Sequence, residues 1–484
     1  MMTKPTMPND YPPGSFDVDV RAPVRDEVLT ELKEAGIAWE IADAERAEHG
    51  RDWWPLSIGQ VARGHVPHWP SVVIYPTSTE QVSSVLLIAS AHRLAVTAQG
   101  GRSGVLGGAA APDGAIALDT TRLNKIVGLD EISGTVRVEA GVFGPELESF
   151  VATRGRTVGH FPQSFDLATV GGWIACRGAG QYSNRYGKIE DIVRALTVVL
   201  ASGEVLYLGG HGPRQAVGPD LLALFVGSEG TLGVITEATL VARRLAQFEQ
   251  RAAYGFQSFE AGLEACRRIL QRDASPAVLR LYDEAESTRN FDVATCALIV
   301  LDEGERDFVE VNMKVVSEEC AAATSLDVAL VSTWLERRND VSALAPLWEH
   351  GVVVDTLEVA GPWARLESMY HAVTAALTAI DGVLVASVHQ SHAYLDGACL
   401  YFTFAGRPEG DPSAFYRHAW DEATRAVLAS GGALSHHHGV GRNRARFVRE
   451  ALGSSYGVLV AMKHELDPLN ILNPGALGIG GDPW

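Results

Sequence analysis

The chain has 484 residues and a formal net charge of −19 at pH 7, with 46% hydrophobic and 20% charged residues. A chain of this length is too long to fold around a single hydrophobic core, so we expect two or three globular domains. The negative charge argues against a nucleic-acid-binding protein, because binding to phosphates needs clusters of Lys and Arg. It also means that no overall positive field attracts an anionic substrate, so local groups have to hold one.

Five cysteines are scattered without C-x-x-C spacing, at Cys176, Cys266, Cys296, Cys320 and Cys399. Their odd number and spacing indicate a reducing compartment rather than a disulfide framework. The N-terminus lacks the apolar run of a signal peptide, and no apolar stretch reaches the roughly 20 residues of a spanning helix. We therefore expect a soluble, cytoplasmic protein, with peripheral membrane contact and a homodimer left open.

Residues 1–65 are predicted to form an N-terminal tail followed by helices. Residues 1–25 are rich in Pro, Asp and Thr, a composition typical of a flexible tail. Helices are expected from residue 26 onward, with Asp26 as the N-cap of the first one.

A β-α-β pattern begins at Ser71. The apolar run Val72–Tyr75 predicts a buried strand, and Ser78 with Gln81 predicts a capping box for the next helix. The apolar positions of that helix recur at helical spacing and predict its buried face: Val82, Val85, Leu86 and Ala89. A strand over residues 94–97 follows, and more strands are predicted at residues 115–118, 135–138, 196–200 and 234–241.

A glycine loop, Gly100-Gly101-Arg102-Ser103-Gly104, directly follows the strand over residues 94–97. Consecutive backbone N–H groups in such a loop form a concave nest that suits a pyrophosphate, and the Ser103 hydroxyl adds a donor. The spacing fits neither the Rossmann nor the P-loop motif. A plain tight turn therefore stays an alternative for this loop taken alone.

Two more glycine-dense turns lie beside apolar strands, Thr169-Val170-Gly171-Gly172 and the segment Glu229–Ile235. Glycine at such positions allows the backbone to approach a flat ligand closely.

Composition changes near Leu245, and helical patterns then alternate with apolar strands such as residues 296–301 and 399–404. Period-2 alternation in the latter puts Tyr401 on the face opposite Leu400, Phe402 and Phe404. Arg280 lies inside another apolar strand, where the simplest interpretation is an internal salt bridge with Asp283 or a neighbour.

Three consecutive histidines, His436, His437 and His438, precede Gly439. In an extended segment adjacent side chains point opposite ways, so the three cannot all bind one ion, and we expect no metal. Acid–base or hydrogen-bonding roles fit histidine better, with at least one of the three purely structural.

These segments, in this order, resemble the FAD-binding domain of the vanillyl-alcohol oxidase/p-cresol methylhydroxylase family, and within it the alkyldihydroxyacetonephosphate synthases. The matching motifs are Gly159-His160-x-Pro162, Thr169-Val170-Gly171-Gly172-Trp173, Tyr186-Gly187-x-Ile189-Glu190-Asp191, Ser435-His436-His437-His438-Gly439-Val440-Gly441 and Asp467–Gly475.

The resemblance implies an α+β fold with a two-subdomain FAD-binding domain and an α+β substrate (cap) domain. The expected parts are the N-terminal tail and helices over residues 1–65, the FAD-binding domain over 66–245, the cap domain over 246–435, and a C-terminal segment over 436–484 that returns to the FAD domain.

The resemblance also implies FAD as cofactor. The expected contacts are Ala98, Gln99, Gly100, Gly101, Arg102, Ser103, Gly104, Gln163, Ser164, Asp166, Thr169, Cys176, Arg177, Gly178, Ala179, Glu229, Gly230, Thr231, Leu232, Gly233, Val234 and Ile235. Many relatives tether the flavin through a histidine of the glycine loop. This loop holds neither His nor Cys, so we expect non-covalent FAD, with Cys176 as a packed residue rather than a tether.

By the same resemblance, Tyr401 and the three histidines are catalytic, and Arg280 binds an anionic group of the substrate. A second active-site arginine of the synthases is missing, because its position falls near Leu344 and no arginine stands between Arg338 and Arg365. We therefore expect one cationic anchor, matched to a single carboxylate.

Three functional hypotheses follow. The first is a FAD-dependent oxidoreductase that takes a hydride from a C–H bond next to oxygen of a small hydroxylated or carboxylated substrate, with an unknown electron acceptor. The alternative is the ether-lipid-forming, net non-redox reaction of an alkyldihydroxyacetonephosphate synthase. The third is a flavin-binding protein without turnover.

Overall fold

The computed structural model describes residues 21–340 and 344–481, without the side chains of residues 344 and 345. The predicted flexible tail therefore lies largely outside the described residues. In the described part, no helix combines the length and the apolar composition that crossing a bilayer requires. All five cysteines are free thiols.

The first part contains a four-stranded sheet of order β1-β2-β4-β3, in which β4 is parallel to both of its neighbours and β1 is antiparallel to β2. Its elements are α1 (Asp26–Glu34), β1 (Ala38–Glu40), α2 (Asp43–His49), α3 (Pro55–Ala62), β2 (Val72–Tyr75), α4 (Thr79–His92), β3 (Val96–Gln99) and β4 (Ile116–Asp119).

The predicted strand Val72–Tyr75 and the predicted buried face of α4 are confirmed. The Ser78 hydroxyl accepts the Gln81 N–H (3.3 Å), but the Gln81 side chain caps Thr77 (2.8 Å) rather than Ser78, so only half of the capping box forms. The N-cap prediction for Asp26 is wrong, because Asp26 is the first helical residue, where its charge complements the helix dipole.

The second part contains a five-stranded antiparallel sheet of order β5-β6-β10-β8-β9. Its elements are β5 (Ile126–Asp130), β6 (Thr135–Glu139), α5 (Gly144–Ala152), β7 (Arg156–Thr157), α6 (Val170–Ala175), α7 (Ser183–Tyr186), α8 (Ile189–Ile192), β8 (Val193–Val199), β9 (Val205–Gly209), β10 (Val234–Val241) and β11 (Arg243–Arg244). Val199 and Val234 pack into the core of the first sheet, so the two parts form one body.

The third part contains a seven-stranded antiparallel sheet of order β15-β12-β14-β13-β17-β18-β16. Its elements are β12 (Phe248–Phe256), α9 (Phe259–Gln271), β13 (Val278–Tyr282), α10 (Glu284–Phe291), β14 (Cys296–Gly304), α11 (Arg306–Glu319), β15 (Thr324–Ser325), α12 (Ala329–Arg337), α13 (Leu344–Glu349), β16 (Val353–Pro362), α14 (Trp363–Thr378), β17 (Val383–Ala393), β18 (Gly397–Gly406) and α15 (Pro412–Ala429).

The C-terminal residues carry two more helices, α16 (Val448–Leu452) and α17 (Tyr456–Leu466). Leu472 then forms a parallel bridge to Val96 and is buried in the core of the first sheet. The end of the chain is thus attached next to the strand that precedes the glycine loop.

The two faces of the seven-stranded sheet differ in character. Leu279, Leu400, Phe402 and Phe404 face the large apolar core that packs against α9, α11, α14 and α15. Tyr401 alternates with these residues and lies on the opposite face, as the period-2 pattern predicts. That face forms one wall of the cavity described next.

Candidate active site

A cavity of about 500 Å³ runs from the glycine loop to the polar face of the seven-stranded sheet. Its walls come from all three sheets and from the loop that carries the three histidines. One end is therefore walled largely by backbone and the other by ionisable side chains.

Close backbone packing forms the glycine end. A Cβ on Gly100 would lie 2.1 Å from the Thr169 Oγ1, and one on Gly101 would lie 1.7 Å from the Leu167 carbonyl oxygen. No side chain fits at either place, so the loop and the segment over residues 167–169 pack edge to edge. Arg102 follows with φ +52°, a left-handed turn that bends the loop around the cavity.

Most of the residues predicted to contact the cofactor do line this cavity. They are Ala98, Gln99, Gly100, Gly101, Arg102, Ser103, Gly104, Gln163, Ser164, Thr169, Cys176, Gly178, Ala179, Glu229, Gly230, Gly233 and Ile235. Burial raises the pKa of Cys176 to about 12, which keeps its thiol protonated and unreactive.

Five of the predicted contacts do not line the cavity. Asp166 is exposed to solvent, Arg177 binds Glu190 (3.2 Å), and the Thr231 hydroxyl donates to the Ser228 carbonyl (2.7 Å). Leu232 and Val234 point into the apolar cores. The sequence prediction took continuous segments as contacts, but neighbouring side chains within a segment point in different directions.

Several buried polar atoms in the cavity wall have no hydrogen-bond partner among the described residues. They are Gln99 Oε1, both ring nitrogens of His160 and Trp173 Nε1. Buried polar groups are normally satisfied, so these atoms indicate a ligand with donors and acceptors along its length. With the glycine wall, they fit a large planar cofactor bearing phosphates. The sequence prediction quoted His160 in a motif but gave it no role.

Tyr401 lies at the other end of the cavity, partly buried on β18. Its hydroxyl accepts a hydrogen bond from Thr356 Oγ1 (3.0 Å), and its ring stacks on His389 (4.8 Å between centroids). Burial raises the pKa of Tyr401 well above its usual value, so the hydroxyl keeps its proton. That proton can be donated to a ligand.

Glu358 holds the histidine loop in place. The carboxylate accepts the backbone N–H groups of His436 (2.8 Å), His437 (3.4 Å) and His438 (2.6 Å). It also pairs with Arg444 (3.0 Å), and both side chains are fully buried. Burial alone would raise the pKa of Glu358, but Arg444 and the surrounding donors hold it far below its usual value. The loop therefore bends around one carboxylate, and the assumption of an extended segment is wrong.

The three imidazoles occupy different places. His437 and His438 line the cavity near Tyr401, whereas His436 packs behind them against Tyr394 (5.5 Å between centroids). His436 Nδ1 and His437 Nδ1 are 2.9 Å apart, so one donates and the other accepts. Burial lowers the pKa of His436 and His437 to about 3 and that of His438 to about 4, so all three are neutral near pH 7.

One cluster has metal-ligand chemistry, since one ligand atom each of His392, Cys399, His436 and His437 lie within 4.8 Å of one another. Both nitrogens of His392 have partners, the Ser391 hydroxyl (2.9 Å) and the Gly180 carbonyl (3.2 Å). Burial raises the pKa of Cys399 far above its usual value, so its thiol stays protonated. These contacts favour a hydrogen-bonded cluster, and the expected absence of a metal stays a prediction.

Arg280 lies in the same wall, on β13. It donates to the Tyr282 hydroxyl (3.2 Å) and to His389 Nε2 (2.8 Å). Because a guanidinium only donates, His389 Nε2 must accept, and its proton sits on Nδ1, which donates to Glu286 (2.7 Å). The alternative of a salt bridge to Asp283 does not form, since Asp283 caps α10 instead.

The charge of Arg280 is not neutralised by this network. Glu286 pairs with Arg289 (3.0 Å). Burial would raise the pKa of Glu286, but contacts with His389 and Arg289 hold it at about 2, so it is ionised. Burial lowers the pKa of His389, so this ring is neutral and connects Arg280 to Glu286 by hydrogen bonds without adding a charge. One positive charge therefore remains at the cavity wall.

The expectation of one cationic anchor for the substrate stays a prediction, although Arg280 is one of several arginines beside the cavity. Arg337 and Arg338, at the end of α12, also line the cavity. The position near Leu344 belongs to the start of α13, so the preceding helix rather than that position supplies the additional cations.

Sequence reasoning assigned no role to His389, Glu286, Glu358, Arg444 or Arg338. One signal was present, because the polar run over residues 389–392 interrupts a strand pattern and indicates side chains that face something other than the core. The buried partners Glu358 and Arg444 are 86 residues apart, and nothing local in the sequence pairs them.

The sequence matches two domain families, "FAD binding domain" over residues 70–209 and "FAD linked oxidases, C-terminal domain" over residues 245–477. It is 30% identical over 431 residues to the uncharacterized FAD-linked oxidoreductase YgcU of Escherichia coli K12, covering 84% of this chain and 89% of that protein. It is 29% identical over 469 residues to an alkyldihydroxyacetonephosphate synthase of Dictyostelium discoideum, covering 88% and 75%. A D-lactate dehydrogenase of Anaerostipes hadrus is 27% identical over 428 residues, covering 84% and 89%.

The fold agrees with these matches. A solved alkyldihydroxyacetonephosphate synthase superposes with a TM-score of 0.81 at 26% identity, covering 95% of this chain and 88% of that one. A p-cresol methylhydroxylase superposes with a TM-score of 0.72 at 17% identity, covering 96% and 98%, and confirms the expected fold. The chain belongs to the family of FAD-linked oxidoreductases that combine these two domains, and FAD is its cofactor.

Proposed function

We propose that this protein oxidises a small hydroxylated substrate that carries an anionic group, removing a hydride from the C–H bond next to the hydroxyl oxygen. The observation that carries this proposal is the uncompensated charge of Arg280 in the same wall as Tyr401, His437 and His438. An anion bound at Arg280 would place its neighbouring carbon among groups that manage a hydroxyl proton.

FAD supplies the hydride acceptor when it is bound. Arg280 binds the anionic group through a charge-assisted contact, and the His389–Glu286 pair fixes its guanidinium. The Tyr401 hydroxyl donates to the substrate oxygen and orients it. The C–H electron pair leaves as hydride, the C–O bond becomes a carbonyl, and the hydroxyl proton passes to a neutral imidazole.

His437 is the best candidate for that imidazole. If His437 Nδ1–H donates to His436 Nδ1, the Nε2 of His437 is left as a free acceptor. His438 lines the cavity as well and is the second candidate. His436 lies behind them, so its predicted role becomes that of fixing the tautomer of His437.

Two observations support hydroxy-acid oxidation over other redox chemistry. The relatives include a D-lactate dehydrogenase and a glycolate oxidase subunit of Bacillus subtilis, which is 27% identical over 424 residues. The anionic anchor and the hydroxyl-handling groups also share one wall, as an acid with a neighbouring hydroxyl requires.

The second candidate is the ether-forming reaction of an alkyldihydroxyacetonephosphate synthase. It is favoured by the likeness to a solved synthase. It is also favoured by Tyr401 and the histidine loop, which the sequence resemblance assigns to a synthase-like active site. That reaction exchanges an acyl chain for a fatty alcohol and transfers no net electrons to an acceptor.

Anaerobic bleaching of the flavin separates these candidates. The purified holoprotein is mixed with a panel of 2-hydroxy acids and, separately, with acyl-dihydroxyacetone phosphate and a fatty alcohol. Bleaching by a hydroxy acid, with recovery by an artificial electron acceptor, is the expected result. Acyl exchange without electron transfer would establish the synthase, and inertness towards every substrate would favour a binding protein without turnover.

A further inference from the structure

A tryptophan links two cations of the cavity wall. Trp334 lies on α12, the guanidinium carbon of Arg280 is 5.4 Å from its ring centroid, and that of Arg338 is 5.6 Å from it. Both arginines line the same cavity as Tyr401. One of these cations comes from the sheet and the other from the end of a helix.

The position of Arg338 is fixed by its surroundings. Its guanidinium lies over the rings of Tyr182 (5.0 Å) and Phe161 (5.5 Å) as well as Trp334. Its backbone carbonyl accepts the amide of Gln181 (3.1 Å). A cation–π contact engages the charge of a guanidinium and does not use its N–H groups as hydrogen-bond donors.

Those N–H groups are largely unused. Of the five donors of the guanidinium, one makes a long contact to Gln181 Oε1 (3.5 Å). Among the described residues, no carboxylate forms an ion pair with Arg338 or with Arg280, although Asp340 also lines the cavity. Two fixed, unneutralised cations in one cavity of an otherwise acidic protein are a site for negative charge.

The two cations lie at different depths. Arg280 is 9% exposed, whereas Arg338 is only partly buried at the end of its helix. A ligand that reaches both has one anionic group deep in the cavity, beside Tyr401, and a second one nearer to solvent.

We infer that Arg338 is a specificity residue that binds a second anionic group of the substrate, so that the preferred substrate carries two separated oxyanion groups. The oxidation of such a substrate rests on the proposed function, whereas the binding of its second anionic group by Arg338 does not. The second group is a carboxylate or a phosphate, since a guanidinium edge binds either one. The competing role for Arg338 is that of a latch between α12 and Gln181.

The test measures the affinity of the holoprotein by calorimetry for three unreactive ligands. Pentanoate carries one anionic group, glutarate carries a second carboxylate in place of the methyl group, and 4-phosphonobutyrate carries a phosphonate there. We expect the better dianion to bind at least about tenfold more tightly than pentanoate, as one charge-assisted contact allows. Equal affinities in the wild type would overturn the inference.

Variants assign the contact. Arg338→Met keeps an apolar stem among the rings and should remove the tenfold gap while pentanoate still binds as before. Arg338→Lys should restore part of the gap, and Arg280→Met should weaken all three ligands. Arg306→Met, which removes a ring-contacting arginine outside the cavity, should preserve the gap. A gap that persists in Arg338→Met, or that disappears equally in Arg306→Met, contradicts the inference. Lower thermal stability and equal weakening of all ligands in Arg338→Met would establish the latch instead.

Flavin bleaching keeps the two proposals separate. If no hydroxy acid bleaches the flavin but the gap depends on Arg338, the proposed reaction is wrong and the second anionic contact stands. If hydroxy acids bleach the flavin and no dianion is preferred, the reaction stands and the role of Arg338 is wrong.

Discussion

The two ends of the cavity are built in different ways. The cofactor end is formed by backbone, where glycines leave no room for a side chain between Gly101 and Leu167. The substrate end is formed by side chains whose places depend on buried charges, above all the Glu358–Arg444 pair beneath the histidine loop. The first end depends on the absence of side chains and the second on their exact partners, so the two ends should fail differently when altered.

The largest effect is expected from the groups that handle the proton at the substrate end. Tyr401→Phe, His437→Ala and His438→Ala should each lower the rate of flavin reduction by about 10²–10⁴-fold, the usual value of one acid–base group. FAD content should not change, because none of these residues holds the glycine wall. His436→Ala should cost less, since His436 lies behind the cavity.

Stopped-flow flavin reduction measures this, with Tyr207→Phe on the exposed strand β9 as the matched control. Wild-type rates in all of the cavity variants would assign these residues a purely structural role. Loss of FAD would show that the two ends are not independent.

The second largest effect is expected from the buried ion pair that holds the histidine loop at the substrate end. Arg444→Met leaves Glu358 buried without its cation, and breaking a buried pair in this way typically costs about 3–5 kcal/mol. The free energy of unfolding, measured with urea, should fall by that amount, and the histidine loop should lose its geometry together with activity. Arg425→Met is the control, since its pair with Glu422 is exposed to solvent and such pairs contribute about 0–1 kcal/mol. Equal losses in both variants would mean that burial of the pair is unimportant.

The cofactor end could be predicted from the sequence to a larger extent than the substrate end. Glycine spacing is local, so the loop over residues 100–104 and the turns near Thr169 and Glu229 could be located, and the strands Val72–Tyr75 and Val234–Val241 were predicted to the residue. The substrate end depends on contacts between distant segments. The pairing of His389 with Glu286 spans 103 residues, and that of Arg444 with Glu358 spans 86, so neither could be inferred from local pattern.

Buried acids give the substrate end a pH dependence. Burial raises the pKa of Asp355 to about 7, although Tyr416 and Trp420 donate to it. The pKa of Asp355 is thus higher in the folded protein than in the unfolded chain, where it is about 4. The stabilisation that this residue provides is therefore complete below about pH 4 and is lost as the pH rises through about 7. Asp355→Asn removes the titration.

We therefore expect the free energy of unfolding of Asp355→Asn, relative to that of the wild type, to rise by about 2–4 kcal/mol between pH 4 and pH 8. Urea unfolding of both proteins at each pH measures the difference and cancels the opposing titration of the buried histidines. A difference that stays constant with pH would show that Asp355 is ionised throughout.

The cofactor end should respond to added volume rather than to charge. Gly101→Ala places a methyl group 1.7 Å from the Leu167 carbonyl oxygen, so the loop must move. We expect FAD affinity to fall about tenfold or more, with little change in the flavin reduction rate of the remaining holoprotein. Gly128→Ala, with open space around its Cβ, is the control. Acid precipitation should release all FAD from the wild type, and flavin in the pellet would contradict non-covalent binding.

The smallest effect is expected from removing metal ions. The ligand atoms of His392, Cys399, His436 and His437 are close enough for one ion, yet His392 uses both nitrogens, the histidine pair is hydrogen-bonded and the thiol of Cys399 stays protonated because burial raises its pKa. An ion would have to displace these contacts and remove a proton from a buried thiol. Prolonged chelation should therefore leave flavin reduction unchanged, and elemental analysis should find no stoichiometric metal. Activity that is lost on chelation and restored by one divalent cation would make this cluster a metal centre and would assign the histidines a role as ligands rather than bases.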